Sequence, residues 1–91
     1  MKIGIGIGEG EGIEATLKSF ERAEEAGFDS AWIPNIFSTD AIMLLALAGR
    51  VTNKIELGTF VVPTYPRHPA ALAQQALTSS AATGGRFTLG I

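Results

Sequence analysis

The spacing of hydrophobic residues changes along the first part of the chain, and each change predicts a different element. Isoleucines alternate with glycines over residues 2–8, which is the period-two pattern of a β-strand. Over residues 13–26 apolar residues recur at helical spacing opposite a charged face, and Gly27 is a natural stop. The glycines on one face of the strand allow two interpretations, tight packing in a crowded sheet or space for a ligand.

The rest of the chain repeats this alternation of strand and helix. Further strands are predicted at residues 30–34, 55–62 and 86–91, and further helices at about 41–52 and 69–82. The order β-α-β-α-β-α-β with short connections predicts a parallel sheet with right-handed crossovers. Two α/β architectures fit this order, one half of a (β/α)8 barrel and a small doubly wound sheet. We expect a single unit over residues 1–91.

The second predicted helix is unusual because Ala41 through Ala48 contains no polar residue. A helix that is apolar all round must be buried on most sides, and a chain of 91 residues offers little to cover it. A four-stranded sheet also leaves unpaired edges on its first and last strands. We therefore expect a homo-oligomer that forms through these strand edges and through helix 41–52.

Composition and charge exclude several classes of protein. The chain has 7 basic and 9 acidic residues, whereas a nucleic-acid-binding surface normally carries a basic excess. With no cysteine and one histidine, neither a thiolate metal site nor a multi-histidine site is available within one chain. The longest apolar run is far shorter than the roughly 20 residues of a membrane span. We see no signal peptide and expect a cytoplasmic protein that binds no metal, nucleic acid or membrane.

The glycine run at the amino terminus does not match the common nucleotide-binding motifs. The dinucleotide fingerprint G-x-G-x-x-G would need glycine where the chain has Glu9, Glu11 or Ile13, and no P-loop lysine follows. A flavodoxin-like or response-regulator-like domain also fits poorly, because the expected acidic cluster and phosphate loop are missing. These binding-domain readings remain the weaker alternatives.

Candidate ligand contacts lie where the predicted strands end, since ligands of α/β folds bind at the carboxyl ends of parallel strands. Asn35 follows the second strand and is either a ligand contact or an ordinary loop residue. His68 precedes the third helix and is either a site residue or a solvated residue at a helix start. Trp32 is expected in the core. No spacing indicates a catalytic triad or carboxylate pair, so the catalytic residues are unknown.

Four segments in order resemble one known family, the luciferase-like flavin and deazaflavin oxidoreductases. They are AGFDSAW at 26–32, GTFVVPTYPRHP at 58–69, LAQQA at 72–76 and GGRFTLG at 84–90. The subgroup that the chain resembles most uses the deazaflavin coenzyme F-420. The resemblance covers essentially the whole chain and implies the amino-terminal half of a (β/α)8 barrel, a fold of roughly 250 residues.

The resemblance implies an oxidoreductase that transfers hydride through coenzyme F-420, with FMN as the second choice, to or from a small-molecule substrate. The family's later strands, which hold much of the coenzyme tail, have no counterpart here. We therefore expect the isolated chain to be inactive, with two alternatives for the coenzyme, bound or not bound. The alternative is a non-catalytic, self-associating half-barrel scaffold.

The resemblance also implies which residues meet the coenzyme. The family has a bulge with a non-prolyl cis peptide in its third strand, which corresponds to Phe60–Val61 with Val61 against the ring. Asn35 stands where relatives often carry an acidic residue, so a hydrogen bond is implied but a proton relay is not. Family members dimerise through their second and third helices. The candidate coenzyme-binding residues are Asn35, Thr59, Phe60, Val61, Pro63 and His68.

Overall fold

The computed structural model describes residues 2–8, 12–34, 40–62 and 67–90 of the chain. Its elements are β1 (Gly4–Gly6), α1 (Ile13–Glu25), β2 (Ser30–Pro34), α2 (Ala41–Val51), β3 (Glu56–Val61), α3 (Pro69–Ala82) and β4 (Phe87–Thr88). The predicted order is confirmed. The first and last strands are shorter than predicted, because each pairs with a neighbour on one side only.

The sheet is parallel throughout and its strands follow chain order, β1-β2-β3-β4. A doubly wound sheet reverses its strand order at a switch point, and this sheet has no such reversal. Strands in sequential order with right-handed helical connections curve in one direction, as they do in a barrel. The strand order therefore favours the half-barrel over the doubly wound alternative.

The core lies between the sheet and the first two helices. Alternate residues of the strands point to this side, including Ala31, Ile33 and Leu57, which are all at most 1% exposed. They pack against Phe20 of α1 and Leu45 of α2, which are fully buried. Burying a large aliphatic or aromatic side chain stabilises the fold by about 1.5–3 kcal/mol, so this layer carries much of the stability.

Helix α2 is covered by its own chain on most sides, as its composition requires. Its first residues are capped by Asp40, whose side chain accepts a hydrogen bond from the Met43 N–H. One stripe stays exposed, with Met43 at 69%, Leu47 at 43% and Val51 at 40%. The part of α2 that would still need a cover from outside the chain is therefore this single apolar stripe.

Helices α2 and α3 pack closely because small residues meet between them. A Cβ added at Gly49 would lie 2.6 Å from the Thr83 Cγ2 and 2.8 Å from its Cα. Near the start of α2 and toward the end of α3, the buried Ser79 hydroxyl donates to the Ile42 carbonyl at 2.9 Å. In the part of the chain that the structure describes, none of the helices α1, α2 and α3 is long and apolar enough to cross a membrane.

The sheet face opposite α1 and α2, here called the open face, carries Trp32. The prediction that Trp32 lies in the core is wrong, because strand alternation turns it away from its buried neighbours Ala31 and Ile33. Its indole lies across Gly58, where an added Cβ would be 2.3 Å from the ring, and donates to Ser30 Oγ at 2.9 Å.

The glycines at 4, 6 and 8 have different surroundings, crowded at Gly4 and open at the other two. An added Cβ at Gly4 would lie 2.5 Å from Ser30 Oγ and 3.0 Å from Trp32 Nε1, so this glycine permits tight packing. Gly6 and Gly8 have nothing within 4 Å of the same position. The space beside the chain is therefore open from Gly6 onward, toward the carboxyl end of β1 and past Trp32.

The ends of the strands where the chain enters the sheet, here called the amino edge, are tied by one carboxylate. Glu24 accepts hydrogen bonds from the backbone N–H groups of Asn53, Lys54 and Ile55 at 2.7–3.1 Å. Burial alone would raise the pKa of Glu24, but these three donors and the nearby Arg86 guanidinium outweigh it and hold the pKa below its usual value.

Arg86 completes the amino edge from the opposite side. Its guanidinium donates to the carbonyls of Gly49, Thr52, Ile55 and Thr83 at 2.7–3.2 Å. These carbonyls belong to the ends of α2 and α3 and to the start of β3, so one side chain joins three segments. A cation at the carboxyl end of a helix also interacts favourably with the helix dipole. The amino edge is therefore built for stability.

Candidate functional site

The carboxyl ends of the strands, here called the carboxyl edge, contain an irregularity in β3. Ile33 pairs with Thr59 and Pro34 pairs with Val61, so Phe60 is left without a partner on β2. Two residues opposing one is the definition of a β-bulge, a feature that is common beside active sites because it redirects side chains. The bulge implied by the family resemblance is therefore present, and it presents a Phe60 side chain that is 50% exposed.

The cis peptide bond expected at this bulge is not observed, and several of the expected coenzyme contacts lie outside the described residues. No cis peptide bond is found among the described residues, so the cis form expected at Phe60–Val61 is not observed. The backbone of Val61 belongs to β3, but its side chain lies outside the description. Asn35 and Pro63 also lie outside the described residues. Their contacts with a coenzyme stay predictions.

Thr59 makes its observed hydrogen bonds within the protein, and its contact with a coenzyme stays a prediction. Its side chain is 0% exposed, and its hydroxyl donates to the Gly90 carbonyl at 3.0 Å while accepting from the Gly90 N–H at 2.8 Å. An added Cβ at Gly90 would lie 2.1 Å from the Thr59 carbonyl oxygen, so the two strands approach closely here. Thr59 ties the end of β3 to the segment after β4 and supports the bulge from behind.

His68 lies at the carboxyl edge and caps α3. Its Nδ1 accepts a hydrogen bond from the Ala70 N–H at 3.1 Å, and Pro69 occupies the first helical turn. Nδ1 must be unprotonated to accept this bond, which leaves the proton of a neutral imidazole on Nε2. The ring is exposed. His68 therefore has a structural role as the cap of α3. Within the described ranges, its ring has no second hydrogen-bond partner.

An ion pair that the sequence analysis missed joins the starts of α2 and α3. Arg67 donates from Nη2 to Asp40 Oδ1 and from Nη1 to Gln75 Oε1, the latter at 2.8 Å. The two charged residues are 27 positions apart in the chain. Opposite charges beside two predicted helix starts were the available signal, but nothing local indicated that they meet.

The described residues offer no metal centre. No group of three or more His, Asp or Glu side chains lies close enough together to hold an ion within the described ranges. The chemical character of the carboxyl edge is instead aromatic and apolar at the bulge, with an ion pair and an imidazole at the two helix starts. Such an edge can hold a planar organic group and orient it with a few polar contacts.

Comparison with known proteins identifies the class. The family model for luciferase-like monooxygenases matches residues 1–91, and the chain belongs to this family. Among curated relatives, the F-420-dependent glucose-6-phosphate dehydrogenase of Intrasporangium calvum is 40% identical over 80 residues, which cover 77% of this chain and 24% of that enzyme.

Two solved structures have the same fold. The coenzyme F-420-dependent tetrahydromethanopterin reductase of Methanopyrus kandleri superposes with a TM-score of 0.88 at 29% identity, covering 97% of this chain and 26% of the reductase. The oxygenating constituent of 3,6-diketocamphane monooxygenase from Pseudomonas putida, solved with FMN, gives 0.87 at 26% identity, covering 100% and 29%.

These matches settle the fold and define its extent. The structural neighbours are (β/α)8 barrels, so the four parallel strands and their helices form part of such a barrel and the doubly wound alternative is excluded. The chain spans about a quarter of the length of the relatives it matches. Its carboxyl edge corresponds to the side on which (β/α)8 barrels place their active sites.

Proposed function

We propose that the chain forms part of a coenzyme F-420 site in an oxidoreductase that transfers hydride between the deazaflavin and a small-molecule substrate. The observation that carries this proposal is the bulge at Phe60, which stands at the carboxyl edge of a sheet from the luciferase-like family. When bound, the deazaflavin would supply the hydride chemistry, and the protein would supply position and surroundings.

The described residues fit a planar ring. Beyond Trp32, the open face at Gly6 and Gly8 has no atom within 4 Å of an added Cβ, which leaves room beside the strand ends. Phe60 offers a half-exposed aromatic surface at the same edge. Aromatic and apolar side chains with few polar groups are typical of sites for organic cofactors. The residues named for ring contact are Asn35, Phe60, Val61 and Pro63, with Thr59 and His68 supporting them.

The choice of F-420 over FMN rests on the relatives. The dehydrogenase at 40% identity is named for F-420, and so is the reductase with the higher TM-score, whereas the FMN-containing neighbour is 26% identical. Both ring systems are flat tricycles, so the open face itself accepts either. We therefore expect F-420 to bind more tightly than FMN.

Within the site, this chain's residues bind and orient; we assign none of them a proton-transfer role. Phe60 excludes water from one side of the ring, and the Thr59–Gly90 link holds the bulge in place. Because the chain spans about a quarter of its relatives' length, we expect the 91-residue chain to bind the coenzyme without catalysing turnover. We expect the protein to act in the cytoplasm, in keeping with the absence of cysteine.

The chain contains its own reporter for this binding. Trp32 is its sole tryptophan, lies on the open face, and should lose fluorescence when a deazaflavin or flavin binds nearby. Titration with F-420 should give saturable quenching, and Phe60→Ala should weaken it. Leu77→Ala, which truncates an apolar residue that is 72% exposed on α3, is the matched control. Free N-acetyltryptophanamide corrects for absorption by the coenzyme, and the absence of saturable quenching with either coenzyme would refute the proposal.

A second candidate function, a self-associating half-barrel scaffold, is favoured by the free side of β1. The Ile3 carbonyl accepts from the Asp29 N–H at 2.8 Å, and the Ile7 N–H donates to the Trp32 carbonyl at 2.7 Å. Because backbone groups alternate in direction along a strand, those of the glycines between Ile3 and Ile7 point away from the sheet. A groove of about 360 Å³ lined by Ile5, Arg22 and Phe28 runs beside this edge. A strand of a second copy could pair there.

The exposed stripe of Met43, Leu47 and Val51 gives a second surface for self-association. We propose that two copies associate through this stripe, through the β1 edge, or through both. Sedimentation velocity distinguishes the candidates: the scaffold requires an oligomer at micromolar concentration without coenzyme. A monomer that binds F-420 would eliminate the scaffold and keep the enzyme.

A further inference from the structure

The ion pair between Asp40 and Arg67 occupies the carboxyl edge and touches both helices that start there. Asp40 uses its two oxygens separately: Oδ2 accepts from the Met43 N–H at 2.8 Å, and Oδ1 accepts from Arg67. Arg67 in turn holds Gln75 in the second turn of α3. One network therefore connects the first turn of α2, the residue before the His68 cap, and α3.

The two helices do not need this ion pair in order to pack. The Ser79 hydroxyl bonds the Ile42 carbonyl, and Gly49 lies against Thr83 farther along both helices. The ion pair adds a contact at the start of α3, which neither of these reaches, and joins it to the start of α2. Arg67 is 17% exposed and Asp40 is 36% exposed, so solvent screens the pair only in part. Its distinctive effect is to fix the distance between the two starts.

We propose that Asp40 and Arg67 are positioning residues of the coenzyme site. Helix α2 follows β2 and α3 follows β3, the two strands that pair across the Phe60 bulge, so the ion pair joins the starts of the two helices that follow these strands. Arg67 donates one N–H from each terminal nitrogen to a protein partner, and its proposed role is to act through these neighbours. This inference rests on the proposed coenzyme function.

Substitutions can separate the ion pair from the helix cap. Asp40→Asn keeps a side-chain oxygen that can accept from the Met43 N–H but removes the charge, and Arg67→Met removes the guanidinium while retaining an apolar stem. Arg67→Lys restores the charge. Glu25→Gln, which neutralises an exposed carboxylate on α1, is the matched control for the change in net charge.

The first readout is the affinity for F-420, measured by quenching of Trp32 fluorescence. Asp40→Asn and Arg67→Met should each weaken the binding of F-420 by about fivefold or more. The double variant should bind F-420 no more weakly than the single variant that binds it less tightly, because both substitutions break the same ion pair. Arg67→Lys should recover part of the lost affinity. If both variants lower the melting temperature but bind F-420 as the wild type does, the pair is merely structural and the proposal is overturned.

The second readout does not depend on coenzyme binding. Hydrogen exchange of the free chain should be faster at the Met43 amide in Arg67→Met, although Arg67 does not contact that amide, because Asp40 would lose its second anchor. If the wild type binds neither coenzyme, the proposed function fails for this chain. Unchanged exchange at Met43 in Arg67→Met would then overturn the spacing role as well, whereas faster exchange would support that role alone.

Discussion

Replacing Glu24 with glutamine should loosen the amino edge of the sheet. The carboxylate accepts from three consecutive backbone N–H groups, at residues 53, 54 and 55, and lies within reach of the Arg86 charge. A hydrogen bond to a charged group contributes about 1.5–3 kcal/mol, against about 0.5–1.5 kcal/mol for a neutral one. Because two of these N–H groups are exposed and water can replace their partner, we expect Glu24→Gln to cost about 1 kcal/mol and Glu24→Ala about 2 kcal/mol.

Urea unfolding of the 91-residue chain at neutral pH measures this loss directly. Glu25→Gln is the control, because Glu25 is the next residue on α1, is exposed, and carries the same charge. The reasoning is refuted if Glu24→Gln and Glu25→Gln have the same free energy of unfolding. It is also refuted if Glu24→Gln changes the denaturant dependence of that free energy and leaves the midpoint alone.

The pH dependence of the same experiment has a definite sign. The folded pKa of Glu24 is held below its usual value, so its carboxylate stabilises the fold at any pH above that usual value. The contribution is lost as the pH falls through the folded pKa. Wild type should therefore lose its advantage over Glu24→Gln in acid, and an advantage that persists at low pH would contradict the assigned bonds.

Three further predictions concern packing and association. Gly58→Ala should cost about 1–3 kcal/mol and shift the fluorescence of Trp32, whose ring must move; unchanged emission and stability would contradict this. Gly49→Ala should destabilise the fold in urea despite the ~1 kcal/mol that alanine gains in a helix, because the new methyl meets the Thr83 backbone; a more stable variant would show that α2 and α3 can separate. Leu47→Lys should shift sedimentation toward the monomer, and an unchanged distribution would exclude the α2 stripe as an interface.

Most of the fold could be predicted from the sequence because periodicity changes sharply between its segments. The boundaries of the helices are right to within a residue or two, since Gly27, Asp40 and Pro69 mark starts and stops. The wrong prediction for Trp32 concerns the strand Ser30–Pro34. Its alternation, with Ala31 and Ile33 on one side, indicated an uncovered second face, which is where a half-barrel exposes what would be its interior.

Less of the candidate site was predictable, for physical reasons that differ between residues. The bulge at Phe60 came from the family resemblance, because no local pattern distinguishes it from a regular strand. The coenzyme contact named for Thr59 stays a prediction, and what the sequence did not indicate is the bond of its hydroxyl to Gly90, a partner 31 residues away. The Asp40–Arg67 pair is equally non-local. Contacts of this kind depend on how two helices are placed, which the sequence pattern does not specify.

The position of the coenzyme is tested most directly by mapping chemical shifts of the isotope-labelled chain during titration with F-420. We predict that the amides that shift are those of Phe60, Val61, Val62, His68 and Ala70 at the carboxyl edge, while the amides of Asn53 and Ile55 at the amino edge stay unchanged. Saturable changes confined to the amino edge, or no saturable change anywhere in the spectrum, would contradict the assignment of a coenzyme site to this barrel segment.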